Sequence, residues 1–114
     1  MPTLYTRKFD LKESLTEKEV VDYWKFAMDE LVPAVLAVKG VRSIRLWSGA
    51  GGLRADLISQ VEMDHAGVYE QAIMDLRSGQ ANAKAYYSID MRTSTQSFRR
   101  EITPELVRAL SGQK

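Results

Sequence analysis

Residues 41–63 read VRSIRLWSGAGGLRADLISQVEM, two alternating runs around a glycine-rich centre. The runs 41–48, VRSIRLWS, and 53–63, LRADLISQVEM, carry the period-two pattern of strands. Gly49-Ala50-Gly51-Gly52 lies between them, where glycine supplies the positive φ that a hairpin tip needs. A phosphate-cradling glycine loop needs a helix directly after it to offer its dipole and free amides, and no helix pattern follows here. The stretch therefore predicts an antiparallel hairpin. A four-residue GAGG turn sets Arg45 across from Asp56. It places Arg42, Ile44 and Leu46 on one face with Ala55, Leu57, Ser59, Val61 and Met63. Ser43, Arg45 and Trp47 then share the other face with Arg54, Asp56, Ile58 and Gln60. The first face is the more apolar and is expected to meet helices.

On the N-terminal side, residues 3–9, TLYTRKF, predict a strand. Thr16-Glu17-Lys18-Glu19 has the capping-box pattern, and the helix after it carries Val20, Trp24, Ala27, Met28, Leu31, Val35 and Val38 on one stripe. Pro33 is expected to kink that helix or end its regular part, and Gly40 to cap it. On the C-terminal side, Asp64 predicts the N-cap of a second helix over 65–78, with Ala66, Tyr69, Ile73 and Leu76 on one side and Gly79 closing it. Residues 84–92, KAYYSIDMR, predict a fourth strand in which Ala85, Tyr87, Ile89 and Met91 alternate with Tyr86, Ser88, Asp90 and Arg92. A polar stretch, 93–102, leads to Thr103-Pro104-Glu105, the opening of a short helix over about 103–111.

The order β-α-β-β-α-β is the ferredoxin-like arrangement, an α+β fold with an antiparallel four-stranded sheet. It divides the chain into a domain over 1–92 and a C-terminal arm over 93–114, expected to pack on a partner subunit. Helices cover only one face of such a sheet. Trp47, Ile58 and Tyr86 among charges on the other face suggest a partner sheet there.

The chain has 114 residues, 45% of them hydrophobic, which suits one domain with a real core. A net charge of +1 selects neither nucleic acid nor an anionic membrane. With no cysteine and a single histidine, His65, disulfides, thiolate chemistry and a protein-only metal site are not expected. No stretch approaches the roughly 20 apolar residues of a membrane span, and the N-terminus MPTLYTRKFD lacks an apolar signal region, so a cytoplasmic location is expected.

The segment 33–64, PAVLAVKGVRSIRLWSGAGGLRADLISQVEMD, resembles the helix, Gly-Val, strand, hairpin and strand of the dimeric α/β-barrel proteins. These include the antibiotic-biosynthesis monooxygenase-like, EthD-like and stress-responsive groups. The resemblance covers residues 3–92 and rests on element order and on Gly40-Val41 after the first helix. It implies a homodimer whose two sheets face each other, with a small-molecule pocket between each sheet and its own helices. Among activities it implies cofactor-independent oxidation of aromatic polyketides, haem binding or degradation, and isomerisation or decarboxylation of small aromatics. Fold alone does not choose among them. The strand-one asparagine and strand-three tryptophan typical of the oxidising and haem-degrading members are absent: strand one has Tyr5, Thr6 and Arg7, and 53–63 holds no aromatic.

The expected function is therefore a homodimer that binds a small aromatic molecule between sheet and helices, as a cofactor-independent oxygenase or isomerase. The alternative is a structural or ligand-binding barrel without catalysis. His65, Tyr87 and Arg45 are the catalytic candidates, expected beside Trp24. Trp24, Tyr5, Met28 and Tyr69 are the ligand-lining candidates. Trp47 is expected as a dimer-interface or hairpin anchor rather than a pocket wall. No cofactor is expected, haem on His65 being the exception to test. The opening MPTLYT resembles that of tautomerase-superfamily proteins, which would make Pro2 a base and Arg7 a carboxylate partner, but those proteins build parallel units. RNA-binding domains of this topology need stacking aromatics on the central strands, and 53–63 has none.

Overall fold

Thr16 opens the first helix with both halves of a capping box, its hydroxyl accepting from the Glu19 amide and the Glu19 carboxylate accepting from the Thr16 amide. In the computed structural model, which describes residues 2–112, the order is β1 (Thr3–Leu11), α1 (Glu17–Phe26), a π-helical turn (Ala27–Leu31), α2 (Val32–Leu36), β2 (Val41–Trp47), β3 (Leu57–Met63), α3 (Gly67–Met74), α4 (Leu76–Tyr86), β4 (Ile89–Arg100) and α5 (Pro104–Leu110). The strands form one antiparallel sheet in the order β2-β3-β1-β4. This is the expected ferredoxin-like α+β fold. The core lies between the sheet and its helices, with Tyr5, Phe9, Leu57, Val61 and Met63 meeting Val20, Tyr23, Ala27, Leu31 and Val35.

Pro33 acts as expected. It has no amide hydrogen to continue the α-helical ladder, and regular α1 stops at Phe26. The chain widens into the π turn instead, the Val32 amide reaching back five residues to the Ala27 carbonyl. The wider turn keeps Ala27 and Leu31 buried but rotates Met28 outward to 53% exposure. The helix ends before Gly40, with Ala37 as its C-cap, so Gly40 is not the expected cap; at φ +96, a conformation that suits glycine, it turns the chain into β2 with Val68 packed against it.

The hairpin departs from its expected form while keeping its faces. β3 begins at Leu57 rather than residue 53, so the connection is 48–56 and not a GAGG tip. Arg45 lies opposite Gln60, and the expected Arg45–Asp56 pair does not form. The shift is four residues, an even number, so the same side chains still face the helices. Ile44 pairs with Val61 and Leu46 with Ser59 on that face, while Trp47 pairs with Ile58 on the other. The longer loop is held by β1: the Leu11 amide donates to the Arg54 carbonyl at 2.8 Å, and the Asp56 amide to the Asp10 carboxylate at 2.8 Å. An irregularity between Val41 and Ser43 turns Arg42 to solvent, where it binds Asp64 at 2.6 Å.

The second half needs several corrections. The expected helix over 65–78 is two helices. Asp75 is extended (φ −61, ψ 132) and its carboxylate caps the Ser78 amide at 2.8 Å, restarting the chain as α4. Gly79 lies inside α4 against the Ile73 backbone, where a side chain would collide, rather than closing a helix. Asp64 holds Arg42 and caps nothing; α3 starts at Gly67 without a side-chain cap. The expected strand over 84–92 is helix as far as Tyr86, because Ser78, Ala81 and Ala85 form a helical stripe against the core. The fourth strand is Ile89–Arg100, so the expected boundary at 92 falls inside it. It pairs with β1 in two registers, Leu11 with Ile89 and Asp10 with Asp90, then Lys8 with Thr95 through Thr3 with Arg100. Beyond it, Thr103 caps α5 by accepting from the Leu106 amide at 3.1 Å, with Pro104 in the first helical position as expected.

Candidate functional site

The helix-facing side chains of the sheet do not fill the space beneath the helices. A cavity of about 70 Å³ remains, room for a few waters with the side chains at rest, while a benzene-sized ring needs about 150 Å³ and so requires the walls to move. Its walls are mostly apolar. Phe9, Val61 and Met63 come from β1 and β3, Val41, Ile44 and Leu46 from β2, Tyr23, Trp24, Ala27, Leu31 and Val35 from the helices. Tyr23 meets Trp24 edge-on, with ring centres 5.1 Å apart. Tyr5, Tyr69 and Phe98 form an aromatic triad, their ring centres 4.9 to 5.1 Å apart.

One charge enters this wall. Arg7 lies on β1, a central strand, and only 8% of it is exposed. Its Nε donates to the Tyr5 hydroxyl at 2.9 Å, Nη1 to the Ser94 hydroxyl at 3.1 Å, and Nη2 to the Tyr86 hydroxyl at 3.2 Å and the Gln96 carbonyl oxygen at 3.1 Å. The guanidinium carbon also sits 4.9 Å from the centre of the Tyr86 ring. The Tyr5 hydroxyl in turn donates to the Gln96 carbonyl oxygen at 2.9 Å. Each acceptor is neutral. No carboxylate lines the cavity, and no ion pair among the described residues includes Arg7.

The electrostatics follow from burial. Burial pushes the Tyr5 hydroxyl up to about 12, although Arg7 beside it pulls the other way, and burial pushes Tyr23 up to about 12 as well. Both are neutral phenols at physiological pH. Burial is the largest single influence on Arg7 and opposes its charge, but Tyr5, Tyr86 and Tyr69 together hold it above its ordinary value. The site is a fixed positive charge among phenols and aliphatic walls.

Trp24 is the outer wall. It lines the cavity and also, with Leu46, a shallow surface groove beside Met28, Trp47, Ser48 and Leu53. Its indole Nε1 donates to the Leu53 carbonyl at 2.8 Å, which ties the 48–56 loop over this end.

Three of the four expected ligand-lining residues, Trp24, Tyr5 and Tyr69, meet at the cavity. Met28 does not, because the π turn faces it outward onto the groove. The expected catalytic candidates lie elsewhere. His65 is exposed in the link between β3 and α3. Tyr87 is 78% exposed just past α4, while its neighbour Tyr86 turns inward. That corrects the expectation that Tyr86 lies on the open sheet face. Arg45 lies on the open face with its guanidinium 4.7 Å from the Trp47 ring centre. Trp47, 44% exposed, donates to Gln60 at 2.9 Å on the same face. Pro2 is five residues from Arg7 along an extended strand, about 17 Å, so the two form no joint site. Ser94 and Gln96 were not legible as site residues, although the alternation Ser94, Gln96, Phe98 within a threonine-rich run carried a strand signal.

The residues do not fit haem. The cavity is far smaller than a porphyrin and His65 does not face it. Among the described residues no group of three or more histidines and carboxylates is placed to hold a metal. No helix among them is long and apolar enough to cross a membrane.

No protein-family model and no curated protein sequence matches the chain. Solved structures match its fold closely at low identity. A dimeric ferredoxin-like protein of unknown function from Bacteroides fragilis aligns with a TM-score of 0.72 at 9% identity, over 88% of this chain and 96% of that one. SnoaB, a cofactor-independent oxygenase from Streptomyces nogalater, aligns with a TM-score of 0.69 at 8% identity, over 90% and 97%. An EthD family protein from Bacillus halodurans aligns with a TM-score of 0.63 at 14% identity, over 90% and 100%. The chain shares the ferredoxin-like fold of these proteins, the fold that its sequence resemblance implied.

Proposed function

We propose that this protein is a homodimer that binds a small ring-containing molecule in the cavity between sheet and helices. The observation that carries the reading is the cavity itself: aromatic and aliphatic side chains converge on a space they leave unfilled, around a few polar groups. The pairing of protomers is supported by the open sheet face. Trp47 and Ile58 lie there among polar residues without a covering layer, and similar structures are dimeric.

Binding is favoured over proton abstraction. An oxygenase or isomerase acting on an acidic C–H bond needs a base near neutrality. The lining residues include no histidine and no carboxylate, and Tyr5 and Tyr23, held up to about 12, are poor bases. The second reading, a cofactor-independent oxygenase like SnoaB, is supported by the shared fold and by Arg7, which could hold a substrate already acidic enough to ionise.

Native mass spectrometry of freshly purified protein, beside a denatured spectrum, tests the proposal. A dimer carrying non-covalent small-molecule mass, released on denaturation and lost in Trp24→Ala, is the expected result. A monomer, or a dimer whose added mass is unchanged in Trp24→Ala, overturns it.

A further inference from the structure

Arg7 is held in the cavity wall by neutral neighbours alone. A charge removed from water is stabilised by an opposite charge, and Arg7 has hydrogen bonds only to neutral acceptors. Those bonds occupy four of the five guanidinium N–H groups, leaving one on Nη1. Tyr86 accepts from Arg7, and among the described residues its own hydroxyl proton has no acceptor. Two donors, one of them charged, thus have no partner among the described residues, and both belong to residues that line the cavity. The sheet order also polarises the cavity. Tyr86, Ser94 and Gln96 surround Arg7 from the end of α4 and from β4, at one edge of the sheet. Ile44 and Leu46 line the other side, from β2 at the opposite edge.

We propose that the ligand is a planar monoanion whose carboxylate, or equivalent delocalised oxyanion, sits against the free Nη1–H of Arg7 and the Tyr86 hydroxyl, with its apolar part toward β2. This rests on the cavity being a small-molecule site. The ligand supplies the missing negative charge, and charge-assisted bonds of this kind are about twice as strong as neutral ones. A neutral molecule of the same shape leaves the guanidinium uncompensated.

The test is calorimetric titration with trans-cinnamate and its neutral isostere trans-cinnamamide. The expected result is cinnamate bound at least tenfold more tightly by the wild-type protein. Arg7→Met is expected to abolish that preference while keeping the affinity for cinnamamide. Tyr86→Phe, which keeps the ring, is expected to weaken cinnamate several-fold and cinnamamide less, because the amide carbonyl accepts the same bond without charge. Should Arg7→Met not fold, the wild-type comparison and Tyr86→Phe decide alone. Equal binding of the two ligands by the wild type overturns the anion anchor and leaves the cavity reading standing. Equal loss of both ligands in a folded Arg7→Met overturns it too, making Arg7 a wall rather than an anchor. Binding of neither ligand by the wild type overturns the cavity reading, and the anchor with it.

Discussion

The Trp24 indole donates to the Leu53 carbonyl at 2.8 Å, joining a residue of the first helix to the loop that follows β2. This bond makes one residue both cavity wall and loop anchor. Trp24→Phe keeps an aromatic wall but unties the loop. The expected cost is about 1–2 kcal/mol, one hydrogen bond plus part of the indole surface. Hydrogen exchange across 48–56 is expected to accelerate while the β1 amides stay protected. Unchanged exchange in the loop would show that Asp10 and Leu11 hold it without Trp24.

Tyr5 and Tyr23 are pushed up to about 12 by burial, against an ordinary value of 10.0. A phenol that ionises later in the folded than in the unfolded state contributes stability below pH 10. That contribution is lost as pH rises from 10 through 12. Alkaline denaturation is therefore expected within this window. Phenolate absorbance should show the Tyr23→Phe protein losing one equivalent from the latest phase. A loss from an earlier phase would remove burial as the cause.

Two glycines are expected to answer differently to alanine. Gly40 has φ +96, and an added Cβ would lie 2.6 Å from Val68 Cγ2. Gly40→Ala is expected to cost roughly 2–3 kcal/mol, from left-handed backbone strain and crowding. Gly51 has nothing within 4 Å of such an atom. Gly51→Ala is expected to stay within about 0.5 kcal/mol of the wild type in urea denaturation. Equal costs at the two positions would contradict the left-handed backbone and the crowding at Gly40.

Trp47 carries the interface proposal. With the indole exposed, stacked by Arg45 and bonded to Gln60, Trp47→Ala leaves the monomer core intact. Sedimentation velocity is expected to show dimer dissociation rising about tenfold or more, as for a central aromatic at an interface. An unchanged dimer moves the interface off this face.

The candidate site was partly legible. Tyr5, Trp24 and Tyr69 could be chosen because large aromatics on a strand and two helices facing one sheet converge beneath them. Met28 lies on the same stripe by α-helical spacing, and only the π turn removes it from the cavity. His65 and Tyr87 were chosen for their chemistry, and chemistry does not report direction. Tyr86 and Tyr87 are adjacent, and reading 84–92 as a strand instead of the end of a helix turned the wrong one inward.

By itself the sequence determined the features set within a few residues: the Thr16 capping box, the break before Pro33, the Gly40 turn, the Thr103-Pro104 start, and the two faces of β2 and β3. Each depends on a local dihedral, a local hydrogen bond or a period of two. Only the tertiary structure decided where α4 ends, which residues form β4, and that Arg7 is buried. The alanines at 81, 83 and 85 fit a strand by alternation and a helix by propensity, and the contact of Ala81 and Ala85 with the core selects the helix. The polar run 93–100 becomes a strand because β1 offers a free edge to pair with. That pairing sets Ser94 and Gln96 beside Arg7, with Tyr86 above from α4. Partners 79 to 89 residues away in sequence hold the charge in place, so no window along the chain could show it.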